Sequence, residues 1–83
     1  MAEEKPIGKV THYYGGIGVA IVKFNREIKL GETIHFKGPH TDFSQKIDSM
    51  QYDHKDIGSA KKGQEVGIKA EQKVRESDEV YNA

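Results

Sequence analysis

The 83-residue chain contains no cysteine and no tryptophan, and it has two prolines. Without cysteine, neither a disulfide framework nor a thiolate metal site can form. No apolar run approaches the roughly 20 residues that a membrane-spanning helix needs. The acidic start, MAEEK, is not followed by the apolar stretch of a signal peptide. We therefore expect a cytoplasmic protein without membrane contact.

The chain also lacks an excess of charge of either sign. Lysine and arginine together number 13, as do aspartate and glutamate, so the formal net charge is zero. Proteins that bind nucleic acid without sequence preference usually carry a net basic footprint. The balance argues against such binding by the whole surface but leaves a local basic patch possible. The length allows one domain, which we place at residues 6–83 after a flexible lead of residues 1–5.

Long helical periodicity is missing as well. Short segments of alternating apolar and polar residues, separated by turn residues, are instead typical of β-strands. Five to seven short strands without a substantial helix leave a sandwich or a barrel, and a closed barrel removes exposed strand edges. The predicted strands are residues 7–14, 17–24, 32–38, 43–54, 65–70 and 79–81, and the side chains predicted to face inward are Ala20, Val22, Phe24, Ile34, Phe36, Val66, Ile68 and Ala70.

The alternation changes phase within residues 43–54. Phe43 and Ile47 share one face of the strand, whereas Met50 and Tyr52 share the other. A bulge or bend near residues 48–49 would bring both pairs to one core. We predict a loop at residues 38–42 around Pro39 and one short helical turn at residues 57–60.

The segment GSAKKGQE, residues 58–65, is close to the phosphate-binding loop G-x-x-x-x-G-K-[ST]. Where that motif needs a lysine and a hydroxyl residue, this chain has Gln64 and Glu65. The following residues also read as a strand and not as the helix that such a loop opens. We therefore interpret the segment as a structural turn and expect no nucleotide site.

Catalytic and metal sites have little support. His35, His40 and Asp42 lie close in sequence, but no pair of histidines has the short spacing that builds a metal site, and no cysteine is available. No serine lies in a Gly-x-Ser-x-Gly elbow. We predict no catalytic residue, no metal and no cofactor.

A mixed basic and aromatic surface is the remaining candidate site. Lysines could contact phosphates, and tyrosine or histidine rings could stack on bases, so such a surface could hold RNA. The alternative is that these side chains simply solvate the outer face. The candidate residues are Lys9, His12, Tyr14, Lys46, His54, Lys55, Lys61 and Lys62.

Three segments of the chain resemble the second domain of translational GTPases such as elongation factor Tu and the initiation factors. VAIVKFNREIKLGETI (19–34) ends in the apolar-x-apolar-Gly-Asp/Glu-x-apolar pattern, at Gly31 and Glu32. IDSMQYDHKDIGSAKKGQEVGIK (47–69) matches the pattern that ends in Gly-x-x-apolar-Gly-apolar, and KVRESDEVYN (73–82) matches the closing strand. Two positions depart from the family: residues 25–27 lack the usual glycine, and Ser77 replaces the glycine before Asp78.

The chain is most similar to free-standing elongation factor-like proteins and to the C-terminal barrel of U32-type peptidases. The resemblance implies a closed six-stranded β-barrel of the translation-protein type. Because the GTPase domain is missing, it implies no GTP binding. It implies a non-enzymatic module that binds RNA or a ribosome-associated component of the translation or RNA-modification machinery. The alternative is a protein-interaction or accessory subunit that docks a partner enzyme.

Overall fold

The computed structural model describes residues 5–53 and 55–82, and within them every regular element is a β-strand. The all-β prediction is therefore confirmed. Apart from Lys5, the predicted lead lies outside the described residues. The strands are β1 (Gly8–Tyr14), β2 (Val19–Phe24), β3 (Ile28–Lys29), β4 (Thr33–Gly38), β5 (Thr41–Lys46), β6 (Met50–Tyr52), β7 (Lys55–Ile57), β8 (Ser59–Ala60), β9 (Glu65–Lys69) and β10 (Glu79–Asn82).

Eight of these strands form one antiparallel sheet, in the order β5-β4-β10-β1-β2-β9-β6-β7. The remaining two, β3 and β8, pair with each other. Strand β3 precedes β4 near one edge of the large sheet, and β8 follows β7 at the other edge. Their pairing therefore links the two ends of the sheet through the chain. The strand ladders of the described residues do not themselves close into a ring, so the closed six-stranded barrel stays a prediction.

The hydrophobic core contains the side chains that the apolar–polar alternation of the strands predicts. The six side chains Ala20, Val22, Ile34, Phe36, Val66 and Ile68 are at most 1% exposed. Phe36 lies opposite Phe43 across β4 and β5, and their rings stack with centroids 5.1 Å apart. Each fully buried aliphatic or aromatic side chain stabilises the fold by about 1.5–3 kcal/mol. Ala70, also predicted inside, is only partly buried.

The predicted bend near residues 48–49 is confirmed, since β5 ends at Lys46 and β6 begins at Met50. It brings Ile47 and Met50 into the core. Tyr52, however, is 43% exposed, so its predicted inward position is wrong. Strand β9 pairs with Met50 and Gln51 but not with Tyr52, which pairs with Lys55 of the edge strand β7.

Two further expectations are wrong. Residues 57–60 form no helical turn, because Gly58 bends the chain between β7 and β8 and Ala60 pairs with Ile28 of β3. The predicted loop at residues 38–42 is shorter than expected, since β5 already begins at Thr41. In the first case a pairing between distant segments overrides the local turn preference of the sequence, and in the second the β4–β5 hairpin continues to the pair Gly38 and Thr41.

The motifs on which the predicted resemblance to translational GTPases rests form backbone turns in this structure. Gly31 and Gly63 have φ angles of 91° and 85°, which glycine adopts without steric cost. The Lys29 N–H donates to the Glu32 carboxylate at 2.8 Å and closes the turn between β3 and β4. Gln64 donates to the Lys61 carbonyl at 3.1 Å, so the segment around Gly63 is the structural turn that the sequence indicates.

Candidate docking face

Strands β1, β2 and β9 lie side by side, and their outward side chains form one surface, which we call the outer face. Lys9 lies opposite Lys23, His12 opposite Ile21, and Tyr14 opposite Val19. The register shifts between Val10 and His12, which leaves Thr11 as an extra residue in β1. The outer face comprises Lys9, His12, Tyr14, Val19, Ile21, Lys23, Glu65, Gly67 and Lys69.

The bulge at Thr11 decides which of two adjacent tyrosines faces outward. Without it, strict alternation from Lys9 would turn Tyr13 outward and Tyr14 inward. With it, Tyr13 packs against the core and Tyr14 is 49% exposed. Tyr14 contacts the His12 ring edge-on, with centroids 4.4 Å apart. The bulge thus delivers an aromatic side chain to the outer face.

One end of the outer face is an apolar groove of about 340 Å³, formed by Tyr14, Ile17, Val19 and Ile21 around Gly67. Ile17 is 66% exposed, the largest value among the exposed large hydrophobic residues of the described chain. Gly67 keeps the groove open, because a Cβ there would lie 3.2 Å from Val19 Cγ1. Exposed apolar surface with a defined shape marks interaction sites.

The rim of the apolar groove is acidic. Gln51, Asp53 and Glu65 complete its lining. Asp53 lies in the turn between β6 and β7 with a φ of 53°, a conformation that aspartate tolerates better than most residues. The groove therefore combines apolar contact with two carboxylates and no lysine or arginine among its lining residues.

The other end of the outer face is basic. Lys9, Lys23 and Lys62 surround a second groove of about 390 Å³, which Pro6, Gly8 and Phe24 also line. Lys62 comes from the turn before β9. That turn is held against β2, because Gly63 donates to the Phe24 carbonyl at 2.8 Å. We call Lys9, Lys23 and Lys62 the basic cluster.

A row of charged residues of both signs crosses the sheet through this cluster. Each residue in the row lies opposite the next one on the neighbouring strand, at the spacing where side chains interact. The lysine pair Lys9–Lys23 is flanked on each side by a glutamate. In sheet order the row is Asp42, Lys37, Glu79, Lys9, Lys23 and Glu65.

The eight residues predicted to bind RNA are thus only partly brought together. Lys9 and Lys62 meet in the basic cluster, and Lys61 lies in the same turn as Lys62. His12 and Tyr14 lie on the outer face, farther along β1. Lys46 and Lys55 lie on β5 and β7, the two edge strands of the large sheet, and His54 lies outside the described residues. Binding by this set stays a prediction.

Sequence reasoning missed Lys23, Ile17, Asp53 and Glu65. Ile17 lies within the predicted strand 17–24, and Lys23 is outside the predicted inward-facing set. An isoleucine between Gly16 and Gly18, in a turn between two strands, is the signal that could have marked it as exposed. The cross-strand register that joins Lys9 to Lys23 depends on the bulge and is not visible in the sequence.

A hydrogen-bonded Ser-His-Asp cluster lies on the hairpin of β4 and β5. His35 Nε2 lies 2.5 Å from Asp42 Oδ1, and His35 Nδ1 lies 2.8 Å from Ser44 Oγ. The residue types are those of a catalytic triad, but serine and aspartate contact the opposite ring nitrogens. Hydrolytic sites, however, need preorganised donors in a pocket that excludes water. Here Ser44 lies within a strand and the Asp42 side chain is 74% exposed, so the cluster fixes the hairpin on an open surface.

Asp78 is the one buried carboxylate among the described residues, and its contacts are internal. It accepts hydrogen bonds from Thr41 Oγ1 and from the Arg75 backbone N–H, at 2.5 and 2.8 Å. A Cβ on Gly38 would lie 2.0 Å from Asp78 Oδ1. Asp78 therefore fastens the loop before β10 to the β4–β5 hairpin.

Glu32 is the other carboxylate with a structural role. The Lys29 N–H and the Arg26 guanidinium, which lies 3.2 Å away, hold the pKa of Glu32 below its ordinary value of 4.5, although partial burial opposes them. Arg26 also donates to the Asn82 side chain and so connects this turn to β10.

Within residues 5–53 and 55–82, no cluster of three or more histidine, aspartate or glutamate side chains has the arrangement of a metal site. In the same part of the chain, no helix is long and apolar enough to cross a membrane.

The chain is similar in sequence to proteases. It is 41% identical over 76 residues to an uncharacterised protease of Methanocaldococcus jannaschii, and 34% identical over 77 residues to a collagenase of Porphyromonas gingivalis. Each alignment covers 90% of this chain but only 19% and 21% of the relative, so the chain spans about a fifth of their length. No family model matches the chain.

The fold is that of a solved domain. Two crystal structures of the C-terminal domain of a Geobacillus thermoleovorans protein, described as a U32 peptidase, superpose with TM-scores of 0.88 and 0.87 at 21% and 22% identity. They cover 94% and 96% of this chain, and the chain covers 99% and 92% of theirs. The predicted similarity to the U32 C-terminal barrel is confirmed at the level of fold.

Proposed function

We propose that this chain is a non-catalytic accessory module that docks the peptidase portion of a U32-type enzyme through its outer face. The observation that carries the proposal is the apolar groove, in which Ile17 and Tyr14 stay exposed on an otherwise charged surface. We infer the docking partner from the sequence relatives, because the aligned segment makes up about a fifth of proteins named as proteases. The rest of such a protein is the natural partner of this segment.

The charge of the apolar groove limits the kinds of partner surface that can bind there. Asp53 and Glu65 on the rim favour a lysine or arginine of the partner next to its apolar anchor. An apolar centre with a charged rim is the usual composition of a protein–protein interface.

Photo-crosslinking tests the proposal. Benzoylphenylalanine replaces Ile17 in the chain expressed in its native cells, and mass spectrometry identifies the adducts. The matched control places the same group at Leu30, which is 42% exposed but lies outside the groove. We expect position 17 to give an adduct with a U32-type peptidase segment, on the same polypeptide or another, and position 30 to give none. Equal adducts at both positions, or RNA as the main adduct at position 17, would refute it.

RNA binding has less support from the geometry. The candidate lysines sit in a row with carboxylates and on separate edges of the sheet. A salt titration separates the two functions, since binding to RNA through lysines weakens steeply as salt rises, whereas docking through the apolar groove changes little.

We also propose that the strands together form a closed barrel of the translation-protein type. Support comes from the bridge between the ends of the sheet, where Leu30 donates to the Gly58 carbonyl at 3.0 Å and Ile28 lies opposite Ala60. The motifs shared with translational GTPases are turn devices at Gly31, Glu32 and Gly63, so they support a common backbone and not a common activity.

A further inference from the structure

The basic cluster has features that separate it from ordinary surface lysines. Lys9 and Lys23 lie directly opposite each other on β1 and β2, an arrangement in which like charges destabilise the sheet. Lys62 adds a third positive charge, and Glu79 is the single acidic residue that lines the groove. In the described part of the chain, none of the three ammonium groups has a carboxylate within ion-pair distance.

The backbone beneath the cluster is fixed. A Cβ on Gly8 would lie 2.9 Å from Phe24 Cδ1 and 3.0 Å from the Lys23 carbonyl oxygen, so β1 and β2 approach closely at this point. The turn that carries Lys62 is closed by the Gln64 side chain, which accepts the Lys61 N–H at 2.8 Å. The three lysines therefore project from a rigid frame over a floor of Pro6 and Phe24.

We propose that the basic cluster binds an aspartate or glutamate carboxylate of the docked protein; this rests on the proposed function. Lysine donors suit carboxylates and phosphates alike. Nucleic-acid sites usually add exposed aromatic rings on which bases stack. The groove contains one aromatic residue, Phe24, and it is fully buried. The apolar floor instead fits an aliphatic side chain beside the carboxylate.

The spacing gives the partner an orientation. Val19 of the apolar groove and Lys23 of the basic cluster are four residues apart on β2, or about 13 Å along the strand. The partner surface should therefore carry an apolar anchor and, about 13 Å farther along β2, an acidic residue.

The probe is an acetylated, amidated peptide, Asp-Leu-Asp-Leu, and its control is Asn-Leu-Asn-Leu. Backbone amide shifts of the ¹⁵N-labelled full chain follow the titration. We expect the aspartate peptide to shift the amides of Lys9, Lys23 and Gly63, and the asparagine peptide to bind about tenfold more weakly or not at all. The chain with Lys9, Lys23 and Lys62 all changed to Gln should lose the shifts. A matched control changes the exposed Lys29, Lys46 and Lys73 to Gln and should keep them.

Three results would overturn the inference: no shifts with the aspartate peptide, equal shifts with both peptides, or tighter binding of a decauridylate at the same amides. The crosslink from position 17 tests the docking function separately. If the position-17 crosslink forms but the peptide does not bind, the docking function is supported and the carboxylate site is refuted. If the crosslink does not form but the peptide binds, the carboxylate site is supported and the docking function is refuted.

Discussion

At the scale of single residues, the backbone conformation of Ser77 is the least expected for its residue type. Its φ of 75° is one that glycine adopts freely and that a residue with a Cβ rarely adopts. The turn holds because Asp78 accepts the Arg75 N–H and the Ser77 N–H donates to the Val10 carbonyl. These hydrogen bonds offset the local strain of a left-handed residue with a Cβ.

Changing Ser77→Gly should stabilise the fold. Removal of the Cβ relieves a left-handed conformation that costs about 1–2 kcal/mol in other residues, and the greater freedom of glycine in the unfolded chain offsets part of the gain. We expect a net gain of about 1 kcal/mol, or about 4–8 °C in Tm, by calorimetry. Ser77→Ala keeps the Cβ and should give no gain; an equal gain with alanine would contradict this explanation.

Changing Glu32→Gln should make stability less dependent on pH. The pKa of Glu32 is lowered in the folded chain, so its carboxylate stabilises the fold above the ordinary pKa of 4.5 and this contribution is lost as the pH falls through the lowered value. We expect the variant to lose about 1 kcal/mol at neutral pH, with the difference shrinking below about pH 4.5. Chemical denaturation across pH measures it.

The control for that prediction is Glu27→Gln. Glu27 is exposed, and its carboxylate has no hydrogen-bond partner in the part of the chain that the structure describes. Its removal should shift stability by less than about 0.5 kcal/mol at any pH. A constant difference between wild type and Glu32→Gln down to strongly acidic pH would show that the charge is unimportant.

At the scale of elements, alternation predicted the long strands well because one side of each is buried. Strands β2, β4 and β9 follow it, and so do the six core side chains. It failed where pairing depends on distant segments. The two-residue strands β3 and β8 carry almost no local pattern, and Tyr52 is exposed where the pairing of β6 with β9 has ended and only the edge strand β7 remains beside it. The bulge at Thr11, which sets the outer face, also depends on tertiary pairing.

The small β3–β8 sheet should belong to the same cooperative unit as the large sheet. Ile28 is fully buried there, so Ile28→Ala should cost about 2–5 kcal/mol. That is a large share of the stability of a domain of this size. Leu30→Ala, two residues away but 42% exposed, should cost far less. If urea unfolding shows Ile28→Ala near wild type, the sheet is not bridged as the structure indicates.

At the scale of the whole molecule, 13 acidic residues match 13 basic residues. Charged residues of both signs lie opposite one another across six strands, and on the outer face the basic cluster and the carboxylates of the apolar groove lie on neighbouring strands. Such charges determine which partner surfaces are tolerated more than they add affinity. Binding energy must then come from the apolar groove.

Changing Ile17→Asp should therefore separate docking from folding. Ile17 is 66% exposed and outside the core, so we expect thermal stability within about 0.5 kcal/mol of wild type. In the groove the new carboxylate would remove the apolar anchor and add charge beside Asp53 and Glu65, so binding of a U32-type peptidase segment should fall by at least about tenfold. The measurement is co-purification at matched expression, with Leu30→Asp as the control at a comparably exposed site. If both variants lose the partner, the added surface charge and not the groove is responsible. If the Ile17→Asp variant still co-purifies with the partner, the apolar groove is not part of the interface.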